Sequence, residues 1–352
     1  MSYPVISISG NASERGRQYG VAVSDRIRNT IAFYKEMFRT YGVSWQEAQK
    51  RAESFIPYIR DYFSEGLEEM QGIARGAELD FADILAINCR SEILFAFPDG
   101  CSCIGTLSAM TKDGHVYLAQ NWDWLRAVDN CVVIVKIEQP RYPRMIMCAE
   151  AGIIGGKGLN DAGIGVCLNA LSVGRGKPGV PLHVIYRKIL TQTSISNALG
   201  VIASANRAGS GNFALGSSQD FLLNVEFTPD NFDVSAASET KPLLHTNHYL
   251  SSIFKAEDTF KHDLPDTFIR LNRLERLTAS LTNKLNRETI LSILRDHKNE
   301  PDSICSHEDP NDPPGKRLCT IYAVVLDLTE KCLWITEGCP CSSEATQVNL
   351  SD

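Results

Sequence analysis

Gly100-Cys101-Ser102-Cys103 stands where the chain changes character. Before it, apolar residues recur at helical steps. Ile27, Ile31, Tyr34 and Phe38 follow one another at intervals of three and four, and Phe63, Leu67, Met70 and Ile73 do the same. After it the period falls to two, in runs such as Val116-Tyr117-Leu118-Ala119-Gln120 and Cys131-Val132-Val133-Ile134-Val135-Lys136-Ile137. A cysteine that follows a glycine at such a switch suggests a self-cleaving precursor. Breakage of the Gly100–Cys101 bond makes Cys101 a new N-terminus. Its thiol is then a nucleophile, and its freed α-amine, with an ordinary pKa of about 7.7–8.0, is a base within reach. The plainer reading is a cysteine in a turn before a strand.

Working outward, the N-terminal third predicts helices over residues 14–41, 45–55 and 58–76, and a short one ending near Asn88. Ser13, Ser44 and Asp80 are the expected N-caps, Gly42 a stop and Pro57 an interruption. Beyond residue 101, strands are expected at 145–148, 164–168, 221–227 and 242–245. Helices are expected at 182–204, 266–282 and 287–298, with a closing hairpin of 320–328 and 332–336. Helices and strands in blocks indicate a layered α+β fold rather than alternating βαβ units. No Gly- or Ser-rich linker divides the 352 residues, so residues 1–352 read as one domain.

A net charge of −7 argues against a nucleic-acid surface as the main function. No apolar run approaches a membrane span. The start carries no leader pattern and the tail no peroxisomal signal, and eleven cysteines, several inside apolar runs, fit a reducing compartment. The expected location is cytoplasmic. No Gly-rich loop with a phosphate-binding Lys appears, so no dissociable cofactor is expected. Cys101-x-Cys103 and Cys339-x-Cys341 together offer four thiolates. Their spacing is tighter than the usual zinc pair, and no metal is assigned.

A thiol nucleophile needs a base, an oxyanion hole and substrate contacts. Four stretches offer them. In Gln120-Asn121-Trp122-Asp123-Trp124, an Asp between two tryptophans needs a partner if buried, for which the new ammonium would serve; otherwise it is a turn residue. Asn169, at a strand end, is an amide donor or a turn former. In His245-Thr246-Asn247-His248, Asn247 is a candidate oxyanion donor, while His245 or His248 offers the base of a papain-like Cys–His pair without chain cleavage. Arg317, leading into a strand, offers a site for a substrate carboxylate or is a solvated strand-end residue.

These residues resemble the isopenicillin N acyltransferase family, a branch of the N-terminal-nucleophile hydrolases. The resemblance rests on Gly16-x-x-Tyr19-Gly20, on Glu69-Met70-Gln71-Gly72-Ile73-Ala74-Arg75-Gly76-Ala77 and on Asn88-Cys89-Arg90-Ser91-Glu92. It continues through Asp99-Gly100-Cys101, Gln120-Asn121-Trp122-Asp123, Glu150-Ala151-Gly152-Ile153-Ile154-Gly155, Asn160-x-Ala162-Gly163, His245-Thr246-Asn247-His248 and Asp266-x-x-x-Arg270-x-x-Arg273. It implies a four-layer αββα fold, and cleavage into a chain of residues 1–100 and a catalytic chain of 101–352 that stay together. It further implies Cys101 as nucleophile, Asp123 orienting its amine, Asn247 in the oxyanion hole with Asn169 near it, His248 beside the substrate, and Arg317 as an active-site arginine. The expected partner is a small-molecule amide, with neither nucleic acid nor membrane. Cys103 stands where the penicillin-forming enzyme has a small polar residue, and together with the tail this points away from penicillin synthesis. A non-catalytic metal-binding protein using the two C-x-C pairs is the alternative of a different class.

Overall fold

A computed structural model describes residues 3–94, 99–281 and 284–350. Its N-terminal part comprises strand β1 (Val5–Ser9) and helices α1 (Ala12–Ala22), α2 (Ser24–Thr40), α3 (Trp45–Glu53), α4 (Ile56–Ala77), α5 (Phe81–Asn88) and α6 (Arg90–Leu94). Next come β2 (Gly100–Thr106), β3 (Tyr117–Leu125), β4 (Val132–Glu138), β5 (Met145–Glu150), β6 (Lys157–Asn160) and β7 (Ile164–Ala170). Two helices, α7 (Leu182–Ile189) and α8 (Ile195–Ser204), precede β8 (Gly211–Ser217), β9 (Phe221–Phe227), β10 (Phe232–Ala236) and β11 (Leu243–His245). The chain closes with α9 (Phe260–Asp263), α10 (Asp266–Ala279), α11 (Arg287–Leu294), β12 (Leu318–Asp327), β13 (Cys332–Thr336) and β14 (Ala345–Asn349).

The strands form two sheets, ordered β1-β4-β5-β6-β7-β8-β9-β10 and β11-β2-β3-β12-β13-β14. All pairings are antiparallel except β1 with β4. Alternation along β2 and β3 sorts their side chains between two cores. Cys101, Cys103, Leu118 and Trp122 join the large core between the sheets and under the N-terminal helices. Ile104, Tyr117 and Ala119 join a second core with Leu274 of α10 and Ile290 and Leu294 of α11. The result is four layers, helices outside two stacked sheets, as expected for the N-terminal-nucleophile hydrolase fold.

The glycines of α1 and α4 allow those helices to touch backbone to backbone. A Cβ on Gly16 would lie 2.1 Å from the Glu69 carbonyl oxygen, and one on Gly72 2.5 Å from that of Ser13. Under this crossing the fully buried carboxylate of Glu69 is held by Arg15 and Arg187, each at 3.0 Å.

Several boundaries differ from expectation. The helix expected over 14–41 is two, parted at Val23, whose backbone (φ −136°, ψ 33°) is not helical, and its cap is Asn11 rather than Ser13. Asn11 accepts from Glu14 N while Glu14 returns a bond to Asn11 N, a reciprocal cap that Ser13 lacks. The helix expected over 182–204 is also two, because Ser194 caps a new start. Ser44 caps α3 as expected.

Candidate active site

Cys101 is the second residue of β2, buried, with its backbone in register with Trp122. Gly100 pairs with Asp123. A Cβ on Gly100 would sit 3.0 Å from both Cβ and Oδ2 of Asp123, so the carboxylate stands directly over the Gly100–Cys101 peptide. Asp123 is itself buried and accepts from Thr320 Oγ1 at 2.6 Å. Burial raises its carboxyl to about 6, against the opposing pull of Arg270 and the Thr320 bond.

Asn247, just beyond β11, reaches the same peptide from the other side. Cys101 N donates to Asn247 Oδ1 at 2.8 Å. Asn247 Nδ2 donates to the carbonyls of Asp99 and Ala170 at 3.1 and 3.2 Å. Its own backbone N is held by Thr267 Oγ1 at 2.7 Å. Arg270, on α10, completes the arrangement: Nη1 donates to Cys101 O (2.8 Å) and Ser102 Oγ (3.2 Å), Nη2 to Asn247 Oδ1 (3.0 Å) and Nε to Asp266 Oδ2 (2.6 Å). Burial works against its charge, but Asp266 and Asp123 outweigh it and hold the guanidinium above its usual value. Every part of the fork is committed, so Cys101 and Asn247 are clamped to one another.

Burial also pushes the Cys101 thiol well up, and Asp99 adds to that while Lys157 opposes it. The thiol is therefore protonated in the intact chain and reacts only with a proton acceptor at hand. Asp99 receives Trp122 Nε1 at 3.2 Å, and burial raises its carboxyl too. Lys157, on β6, lies over the rings of Trp122 and Tyr322 at 5.0 and 5.5 Å. It lines, with His183 and Tyr186, a cavity of about 40 Å³ beside Asp99.

The other expected residues fall at graded distances from this centre. Asn169 is buried and donates to His245 O at 3.5 Å while accepting from Asn212 at 3.3 Å; it braces the strand that carries Asn247. His248 bonds Thr267 Oγ1 through Nδ1 at 2.9 Å and lies on Phe268; burial lowers its pKa to about 4. His245 bonds Glu226 Oε1 at 2.8 Å and Thr246 O at 2.7 Å. Both ring nitrogens of His245 are thus engaged away from Cys101 and Nδ1 of His248 is held by Thr267, and among the described residues neither imidazole hydrogen-bonds Cys101. Arg317 stands outside this cluster. Its guanidinium donates to the carbonyls of Asp312 and Pro310, at 2.8 Å each, closing its own loop, and Arg270 occupies the place beside Cys101 expected of it. The two C-x-C pairs do not meet in a four-thiolate group: the Cys103 thiol lies against Cys167, and that of Cys339 against Cys305 and the Thr320 carbonyl.

Sequence reasoning gave Arg270, Thr320, Asp99 and Lys157 no role. For Arg270 a signal existed, because Asp266-x-x-x-Arg270 spaces an ion pair one helical turn apart.

Residues 109–341 match the family model described as acyl-coenzyme A:6-aminopenicillanic acid acyl-transferase. The chain belongs to this family. Over 348 residues it is 28% identical to the 40 kDa form of acyl-coenzyme A:6-aminopenicillanic-acid-acyltransferase of Emericella nidulans, covering 97% of this chain and 95% of that one. The family member described here is therefore an enzyme, an amide hydrolase or acyltransferase. Its fold is shared with a variant of conjugated bile acid hydrolase from Clostridium perfringens, at a TM-score of 0.55 and 12% identity over 71% of this chain and 92% of the other. No helix among the described residues is long and apolar enough to cross a membrane.

Proposed function

We propose that this family member is a self-cleaving cysteine amidohydrolase or acyltransferase that works on small N-acyl compounds through a thioester at Cys101. The observation that carries the reading is the clamp on Cys101 and the bond before it: Cys101 N on Asn247 Oδ1, Asp123 over Gly100, and Arg270 on the Cys101 carbonyl. A strand start held by three buried polar side chains is unneeded for packing alone.

In the precursor, Cys101 Sγ attacks the Gly100 carbonyl carbon. The amide nitrogen leaves as the Cys101 amine, and water releases Gly100 as a carboxylate from the thioester. Two changes follow. The amine becomes the base beside its own thiol, with Asn247 Oδ1 and Asp123 fixing its orientation. Departure of the Asp99 carbonyl frees one N–H of Asn247 for the oxyanion of the next carbonyl to be attacked, a contact of the kind worth about 2.7–4 kcal/mol of barrier. The substrate acyl group then moves to Cys101, and the amine proton goes to the leaving nitrogen. Water completes hydrolysis; an acceptor amine completes transfer. Lys157, which lines the cavity beside Asp99, is better placed than Arg317 to meet an anionic group on the substrate.

Hydrolysis is expected to exceed transfer, and penicillins to be poor substrates. A panel of N-acyl amino acids, β-alanyl amines and penicillins, assayed with and without an acceptor amine, ranks these, with mass measurement of trapped acyl-enzyme on the 101–352 fragment. Lys157→Gln should raise KM for anionic members more than for neutral ones. An acylated site elsewhere than Cys101 would overturn the mechanism, and efficient acyl exchange from a thioester onto a β-lactam nucleus would overturn the ranking.

A further inference from the structure

Between the end of α11 at Leu294 and Pro314 the chain forms no regular helix or strand, a length of loop that is uncommon unless something orders it. Three side chains of this loop meet one from the turn before β14. The Nε2 atoms of His297 and His307 are 3.1 Å apart. Cys305 Sγ lies 3.8 Å and Cys341 Sγ 3.7 Å from His307 Nε2. All four ligand atoms fall within 4.8 Å of one another. A tetrahedral zinc ion with bonds of about 2.3 Å to sulfur and 2.0–2.1 Å to nitrogen has ligand-to-ligand edges of about 3.3–3.8 Å. The three separations given lie at or just below that range, and the widest need close by only about 1 Å. Two thiolates and two imidazoles are also the donor set that selects a borderline-soft, redox-inert cation over calcium or magnesium.

We propose that His297, Cys305, His307 and Cys341 form a structural zinc site. It lies apart from Cys101 and is independent of the catalytic reading. Zinc here would close the long loop onto the C-terminal turn, tying together segments that side-chain packing alone holds loosely, since His297 and Cys341 are exposed. The tie reaches the candidate active site in two bonds. Ser306, between two of the ligands, donates its backbone N to Thr320 Oγ1 at 2.9 Å, and that hydroxyl donates to Asp123.

The test is metal analysis of protein purified under reducing conditions and dialysed against metal-free buffer. About one zinc per chain is expected, replaceable by cobalt(II) with thiolate-to-cobalt charge-transfer absorption. His297→Ala and Cys341→Ser alter exposed positions that the fold tolerates, and each should weaken zinc binding by at least about 10–100-fold. Cys101→Ala should keep its zinc. Zinc removed by dialysis alone, zinc retained by both ligand variants, or a Cys305–Cys339 disulfide in freshly purified protein would each overturn the proposal.

Discussion

At the residue scale the proposed mechanism turns on Asn247, whose one amide would serve both ends of the reaction. Its oxygen takes the nucleophile's nitrogen and its N–H groups face the carbonyls around the scissile bond. Asn247→Ala should lower turnover by about 10²–10³-fold in folded, cleaved protein. His248→Ala, which removes only a bond to Thr267 and a ring contact, should cost much less. Steady-state kinetics on both variants, with cleavage checked by gel, decides it; the reverse order would favour a Cys–His pair. Asp123 leaves a pH signature. Its folded value of about 6 lies above the ordinary 3.8, so ionisation is disfavoured in the native state. The stability linked to its protonated form is complete below about pH 4 and is lost as pH rises through 6. In the uncleavable Cys101→Ala chain, adding Asp123→Asn should therefore raise the thermal midpoint, relative to the parent, progressively between pH 4 and pH 7. A difference that does not change with pH contradicts the assignment. Cys101, Asp123 and Asn247, which the fold brings together, drew notice in the sequence because a thiol, an acid and an amide stand in short polar clusters beside apolar runs. Arg270 did not, since its contacts lie 169 and 23 residues away and only the folded chain brings them to it. Arg317 drew notice for a strand end, where an arginine satisfies loop carbonyls just as readily.

At the scale of elements, the register of β2 on β3 makes the site. It sets Gly100 opposite Asp123, so close that a Cβ at Gly100 would press on the Asp123 side chain at 3.0 Å. Gly100→Ala should push the carboxylate aside and slow self-cleavage measurably in a time course from fresh expression, without unfolding the sheet. Cleavage at the parent rate would remove Asp123 from the account of that step. The crossing of α1 and α4 gives a packing counterpart. Gly72→Ala puts a methyl 2.5 Å from a carbonyl oxygen in a helix pair that has no slack. It should destabilise the protein by about 1–3 kcal/mol in denaturant unfolding while leaving the chemistry of folded enzyme unchanged. The helical and alternating blocks were readable from periodicity. The splits at Val23 and before Ser194 were not, because apolar spacing runs on through a break that capping and a single backbone angle decide. Strands β1, β6, β8, β10 and β14 were also missed; β1, β10 and β14 are edge strands whose burial is too partial to leave a clear alternation, while β6 and β8 are buried throughout and so show none.

For the whole molecule, we propose that the intact chain is a precursor. Its thiol is held protonated by burial, its future amine is still an amide, and its oxyanion donor is occupied by the Asp99 carbonyl. In the proposed mechanism one bond cleavage would relieve all three together, with both fragments retained in the four-layer body. Intact-mass measurement of active enzyme under denaturing, reducing conditions tests this most directly. Fragments of 100 and 252 residues are expected, with Cys101→Ala remaining whole and inactive. A lone 352-residue species in fully active enzyme would contradict both the cleavage and the amine base that depends on it.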